Sequence, residues 1–117
     1  MLERFLIWVR SFWQGQPDLG YRGLRSNKWP AVRKHHLEKE PECQWCGRKK
    51  LLEVHHCLPV SVFPAMELAE ENLLTLCDSL IGNCHFKRGH LKNYHKYNPN
   101  IKEECKRRQF DRVKNFL

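Results

Sequence analysis

The chain has 117 residues, 41% of them hydrophobic, with 21 Lys+Arg against 13 Asp+Glu for a formal charge of +8. That length makes one small domain, the apolar fraction argues against wholesale disorder, and no apolar run approaches a membrane span or a secretory leader. The chain therefore reads as an intracellular, cytoplasmic protein whose partner is a polyanion, most simply nucleic acid, and its six cysteines read as metal ligands before disulfides.

In chain order, Leu2, Phe5, Leu6, Val9, Phe12 and Trp13 recur at helical spacing and predict an amphipathic helix over 2–13. Gly15, Pro17 and Gly20 mark a loop running to 25. Ser26 is placed to cap a second helix, with Pro30 in its first turn and Trp29, Val32, His36 and Leu37 at helical spacing, and Pro41 ends it. His35 and His36 are consecutive, so on a helix they point about 100° apart; they read as surface or partly buried side chains, not as one chelate. Residues 51–56 (LLEVHH) read as a strand limited by Pro59, residues 65–71 as a short helical turn, and residues 73–77 (LLTLC) as a second strand. Residues 84–95, rich in His and Lys, are expected to be helical. Asn98-Pro99 opens a last helix, in which Ile101, Cys105, Val113 and Phe116 sit among Lys102, Lys106, Arg107, Arg108, Arg112 and Lys114.

Charge is partitioned along this layout. Residues 1–50 carry 11 basic and 5 acidic side chains, residues 51–84 no basic and 5 acidic, and residues 85–117 10 basic and 3 acidic. Two basic arms flank an acidic, histidine-containing centre. Basic surfaces would hold a phosphate backbone and the centre a metal beside it.

Cys43-x2-Cys46 followed by Gly47 has the form of a thiolate knuckle, since two intervening residues let both sulfurs reach one tetrahedral ion and Gly permits the turn after them. Cys77 and Cys84 can complete a structural four-thiolate zinc site with no open position for water. The competing readings are a redox dithiol at Cys43 and Cys46, or plain buried thiols. Six residues (DSLIGN) separate Cys77 from Cys84, so either this segment bulges out or Cys77 leaves the site. Cys57 and Cys105 are left over as small buried hydrophobes.

Between the thiol pairs lie Glu53-Val54-His55-His56, then Pro59-Val60, Asn72-Leu73 with Thr75-Leu76-Cys77, and Cys84-His85. With Gly89-His90-Leu91, Tyr97-Asn98-Pro99, the Cys-x2-Cys-Gly turn, and Ser26, Trp29, Val32 and Arg33 ahead of it, the ordered set resembles the HNH endonuclease family over roughly residues 26–101, in a zinc-binding phage and bacterial branch. The resemblance implies an α+β fold: a small ββα-metal (His-Me finger) core with a structural zinc knuckle and flanking helices. It implies His56 as the general base that activates water, His55 and His85 as ligands of one catalytic divalent ion, and Asn72 as the residue that bonds backbone near the base and holds its loop. Asn72 and His85 stand 13 apart where the family usually has 9. His90, five residues after His85, lies about 140° round an α-helix from it, and joins the same ion only if Gly89 breaks the helix. His95 reads as a phosphate contact or plain surface.

The domain layout expected is an N-terminal helix and linker over 1–25, the nuclease domain over 26–101, and a basic helix over 102–117 packing on it. The function expected is hydrolysis of DNA phosphodiesters to 5′-phosphate and 3′-hydroxyl ends, as a nickase when monomeric, with Mg²⁺ or Mn²⁺ in cells and Ni²⁺ or Zn²⁺ tolerated. Lys87, Arg88, Lys92 and Lys96 are expected to grip the backbone beside the cut, and Lys106, Arg107, Arg108 and Arg112 to offer a second phosphate-binding face. The rival expectations are a non-enzymatic zinc module that binds nucleic acid, and an accessory subunit of a phage packaging or restriction complex.

Overall fold

The computed structural model describes residues 25–116, and the side chains of all of these but Phe116. The helix expected over 2–13, and the linker after it as far as residue 24, lie outside the described residues. Within them the order is α1 (Trp29–Lys39), β1 (Leu52–His56), two 3-10 turns (Pro64–Met66 and Glu70–Asn72), β2 (Leu73–Cys77), a π-turn (His85–Gly89) and α2 (Ile101–Phe116). This is a small α+β domain built on a two-stranded antiparallel sheet. No helix among the described residues is long and apolar enough to cross a membrane.

The register of the sheet pairs Leu52 with Cys77, Val54 with Thr75 and His56 with Leu73. All five residues of β2 are buried, so both of its faces are covered. α1 and the π-turn pack against both strands. Ile101 and Cys105, in the first turns of α2, join Leu74, Leu76, Cys57 and the knuckle cysteines in one apolar cluster. Cys57 and Cys105 are thus buried hydrophobes, and burial pushes the Cys105 thiol up to about 12. Phe110 and Val113 are exposed on the second half of α2, while Arg108 and Gln109 donate to the carbonyls of Trp45 (3.0 Å) and Gln44 (2.7 Å).

α1 begins two residues later than a Ser26 cap implies. Lys28 is its cap residue, and the Ser26 hydroxyl instead accepts the Lys28 N–H at 3.2 Å in a turn ahead of the helix. His36 is not the surface or partly buried side chain expected but a fully buried one, only 2% exposed. Both its ring nitrogens meet carboxylates, Nδ1 at Glu70 (2.8 Å) and Nε2 at Glu40 (3.2 Å). Glu40 Oε1 also accepts the Thr75 N–H at 2.7 Å, which ties the end of α1 to β2. Burial alone would lower the His36 pKa, but the two carboxylates outweigh it and raise it.

The helix expected over 84–95 is a single π-turn. Leu91 and Lys92 both take positive φ (54° and 65°), which no α-helix accommodates, and they turn the chain out of the helical path.

Candidate metal centres and active site

The four cysteines converge. Cys43, Cys46, Cys77 and Cys84 place their sulfurs within 4.8 Å of one another. The Cys46 and Cys77 sulfurs are 3.7 Å apart. Tetrahedral zinc with Zn–S bonds of about 2.3 Å would set that separation near 3.8 Å, so the donor set fits a structural zinc knuckle. Gly47 supplies the turn with φ +81°, and its N–H closes on the Cys43 carbonyl at 2.8 Å. The spacing question is answered by the loop: residues 78–83 bulge out, leaving Leu80 101% and Ile81 84% exposed, and Cys77 stays in the cluster. Burial raises the Cys43 and Cys84 thiols. Cys77, although burial opposes its ionisation, is held down to about 6 by the Cys84 N–H and by Ser79.

His55, His85 and His90 form a second cluster, with ligand nitrogens also within 4.8 Å of one another. The π-turn makes this possible. The His90 N–H bonds the His85 carbonyl at 3.1 Å, an i→i+5 closure that stacks residue 90 over residue 85, where an α-helix would have set them about 140° apart. Gly89 lies against the His55 ring, and a Cβ on it would stand 3.0 Å from His55 Cε1.

Hydrogen-bond accounting shows what the cluster lacks. His85 Nδ1–H donates to Asp78 Oδ1 at 3.0 Å, and His90 Nδ1–H donates to the Lys96 carbonyl at 2.8 Å. A neutral imidazole has one N–H, so both Nε2 atoms carry lone pairs, and these face each other at 3.3 Å. His55 Nε2 is fully buried with no hydrogen-bond partner. Burial first, then the neighbouring His85 and His90, push the His55 pKa well below 6.5 and hold that ring neutral. Nitrogens about 2.1 Å from one ion lie about 3.0–3.4 Å apart, so these residues fit a divalent cation.

His56 is consecutive with His55, so its ring leaves the opposite face of β1. There it stacks on Trp29 with ring centroids 4.5 Å apart, and its Nε2–H donates to the Glu67 carbonyl at 2.9 Å. Both histidines lie inside the strand, with no bulge between them. They nevertheless line one cavity of about 330 Å³, together with Arg25, Trp29, His85 and His90; among the described residues the sheet has two strands, and the cavity reaches both faces of β1. Burial, together with Arg25, lowers the His56 pKa against the partial compensation of the Glu67 carbonyl. Asn72, buried, accepts the Leu58 N–H at 2.7 Å and donates to the carbonyls of Leu58 (3.0 Å) and Met66 (3.1 Å). It clamps the loop that follows His56 and does not itself enter the cavity lining.

The basic residues divide. Lys87, Lys92 and Lys96 are exposed, Lys87 with its Nζ donating to the Ile81 carbonyl at 3.4 Å, and Lys106, Arg107 and Arg112 are exposed on α2. Arg88 and Arg108 instead cover the Trp45 ring of the knuckle, at 4.5 and 4.8 Å from its centroid. Arg88 is therefore directed to the knuckle and not to the cavity. His95 is exposed. Sequence reasoning gave no site role to Arg25, Trp29 or Asp78. Asp78 had a readable signal, since it directly follows Cys77 as His85 directly follows Cys84. The Glu67 contact uses a backbone carbonyl and has no signature in side-chain identity.

Comparison of the chain with family models, with curated proteins and with solved structures gives no match.

Proposed function

We propose that this chain is a metal-dependent DNA endonuclease of the HNH type, acting as a nickase when monomeric. One observation carries the proposal: a neutral, oriented histidine and a cluster of three imidazoles line the same cavity. In this reading β1, β2 and the π-turn form the ββα-metal core, with the short turn in place of the usual helix. Three imidazoles suit Ni²⁺ or Zn²⁺ better than the Mg²⁺ or Mn²⁺ expected from sequence. His55, His85 and His90 would hold a divalent ion, which when bound would supply charge stabilisation to the phosphorane and the departing 3′ oxygen.

His56 acts as the base. Its Nε2–H is committed to the Glu67 carbonyl, which leaves Nδ1 to accept a proton from the attacking water. Its lowered pKa keeps it neutral at pH 7. Asn72 holds the loop after His56, and Arg25 at the cavity rim offers a cation to a phosphate oxygen. Lys87, Lys92 and Lys96 contact the flanking backbone, which provides affinity without sequence information.

Supercoiled plasmid incubated with the protein and Mg²⁺, Mn²⁺ or Ni²⁺ should become nicked. His56→Ala should slow nicking by about 10²–10⁴-fold. No nicking with any of the three ions, or undiminished nicking by His56→Ala, rejects the proposal. The Arg88–Trp45–Arg108 stack on the knuckle favours a second reading, a zinc-stabilised nucleic-acid-binding module. That reading expects DNA binding without metal-dependent cleavage.

A further inference from the structure

The knuckle and the histidine cluster meet at one hydrogen bond. Asp78 directly follows Cys77 and His85 directly follows Cys84, so the approach of the two cysteines brings a carboxylate beside an imidazole. Asp78 is fixed on two sides. Its N–H donates to the Leu51 carbonyl at 2.7 Å, just beyond the ladder of β1 and β2. The loop after it is closed by the Ser79 hydroxyl, which accepts the N–H groups of Gly82 (2.9 Å) and Asn83 (3.2 Å). From this position Asp78 Oδ1 accepts the Nδ1–H of His85 at 3.0 Å.

We propose that Asp78 is a positioning residue for the histidine metal site: it fixes the tautomer and ring orientation of His85 so that Nε2 faces the ion. The proposal rests on the reading that His55, His85 and His90 hold a divalent cation. A ligating imidazole binds through one nitrogen, and the partner of its other nitrogen decides which one is free and where the ring points. Each of the three rings has such a restraint. His90 has the Lys96 carbonyl, His55 is packed on Gly89, and His85 has Asp78. Of these, only Asp78 works through a side-chain hydrogen bond. It stands in the six-residue segment that departs from the usual cysteine spacing, which gives that segment a role beyond spanning the knuckle.

The test is calorimetric titration of the zinc-loaded protein with Ni²⁺. The unaltered chain should take up one Ni²⁺ beyond its zinc. Asp78→Ala should weaken Ni²⁺ binding by about 10–100-fold with zinc content and melting temperature retained, since the Asp78 side chain is 42% exposed. Asp78→Asn keeps an oxygen that accepts Nδ1–H and should recover most of the loss. In a His85→Ala background, Asp78→Ala should have no further effect. Unchanged Ni²⁺ affinity in Asp78→Ala, or an equal loss with and without His85, overturns the proposal and leaves the metal reading intact. Failure of the unaltered chain to bind Ni²⁺ beyond its zinc overturns both.

Discussion

Gly89 matters because the His55 ring occupies the space its side chain would take. A Cβ there would lie 3.0 Å from Cε1 and 3.2 Å from both ring nitrogens, tighter than most packed side chains, so the ring would have to shift. Gly89→Ala should therefore displace His55, cost about 1–3 kcal/mol of stability in a urea titration, and weaken metal uptake. Asn72 is equally exacting for a different reason. It satisfies the Leu58 N–H and two carbonyls in a buried setting, where each group left unpaired costs about 1–3 kcal/mol. Asn72→Ala should lower the urea midpoint and slow nicking together, because the loop it clamps follows His56. Loss of nicking with an unchanged midpoint would instead give Asn72 a role at the reacting atoms.

At the scale of elements, α1 is locked to β2 through His36, Glu40 and Glu70. The folded His36 pKa is raised above the ordinary 6.5, so its stabilisation is complete below about pH 6.5 and is lost as pH rises through the folded value. Glu40 and Glu70 have lowered pKa values, by the His36 hydrogen bond against burial, so their share is present above about pH 4.5 and is lost as pH falls through their folded values. The cluster therefore contributes most between these limits. His36→Gln should reduce stability by about 1.5–3 kcal/mol near pH 6 and by less at pH 9, measured by urea midpoints across the range. An equal loss at both pH values would mean that the ring acts by packing alone. The π-turn is the other decisive element. An i→i+5 closure is a local backbone choice with little side-chain signature, which explains why a helix was expected over 84–95 and why the place of His90 stayed open until the fold was known.

For the molecule as a whole, the apolar cluster is small and includes three of the four knuckle cysteines, Cys43, Cys77 and Cys84. A domain of this size leans on its metal, so about one zinc per chain should copurify, and chelation or Cys43→Ser should lower the melting temperature sharply. A metal-free chain that melts like the zinc-loaded one would remove zinc from the account of stability. Binding to DNA should fall steeply with salt. Single alanine substitutions at Lys92 or Arg107, both exposed, should each reduce the slope of log K against log salt by about 1 if the residue contacts a phosphate.

The amino-acid sequence by itself determined both strands, close to their ends, and marked Cys43, Cys46, Cys77 and Cys84 as candidate ligands apart from Cys57 and Cys105. It did so because strand alternation, Pro and Gly punctuation and ligand spacing are local properties. It also singled out His55, His56, Asn72 and His85 as a set. Tertiary structure decided the rest. Whether Cys77 shares a site with Cys84 depended on the path of the loop between them, and whether His90 meets His85 depended on one hydrogen bond in the backbone. The burial of His36 required Glu70, 34 residues away, and the covering of Trp45 by Arg108 required α2 to return to the knuckle. That His55 and His56 share a cavity from opposite faces of one strand followed from a sheet that has two strands among the described residues. Such features arise from contacts between distant segments, which composition and periodicity do not encode one residue at a time.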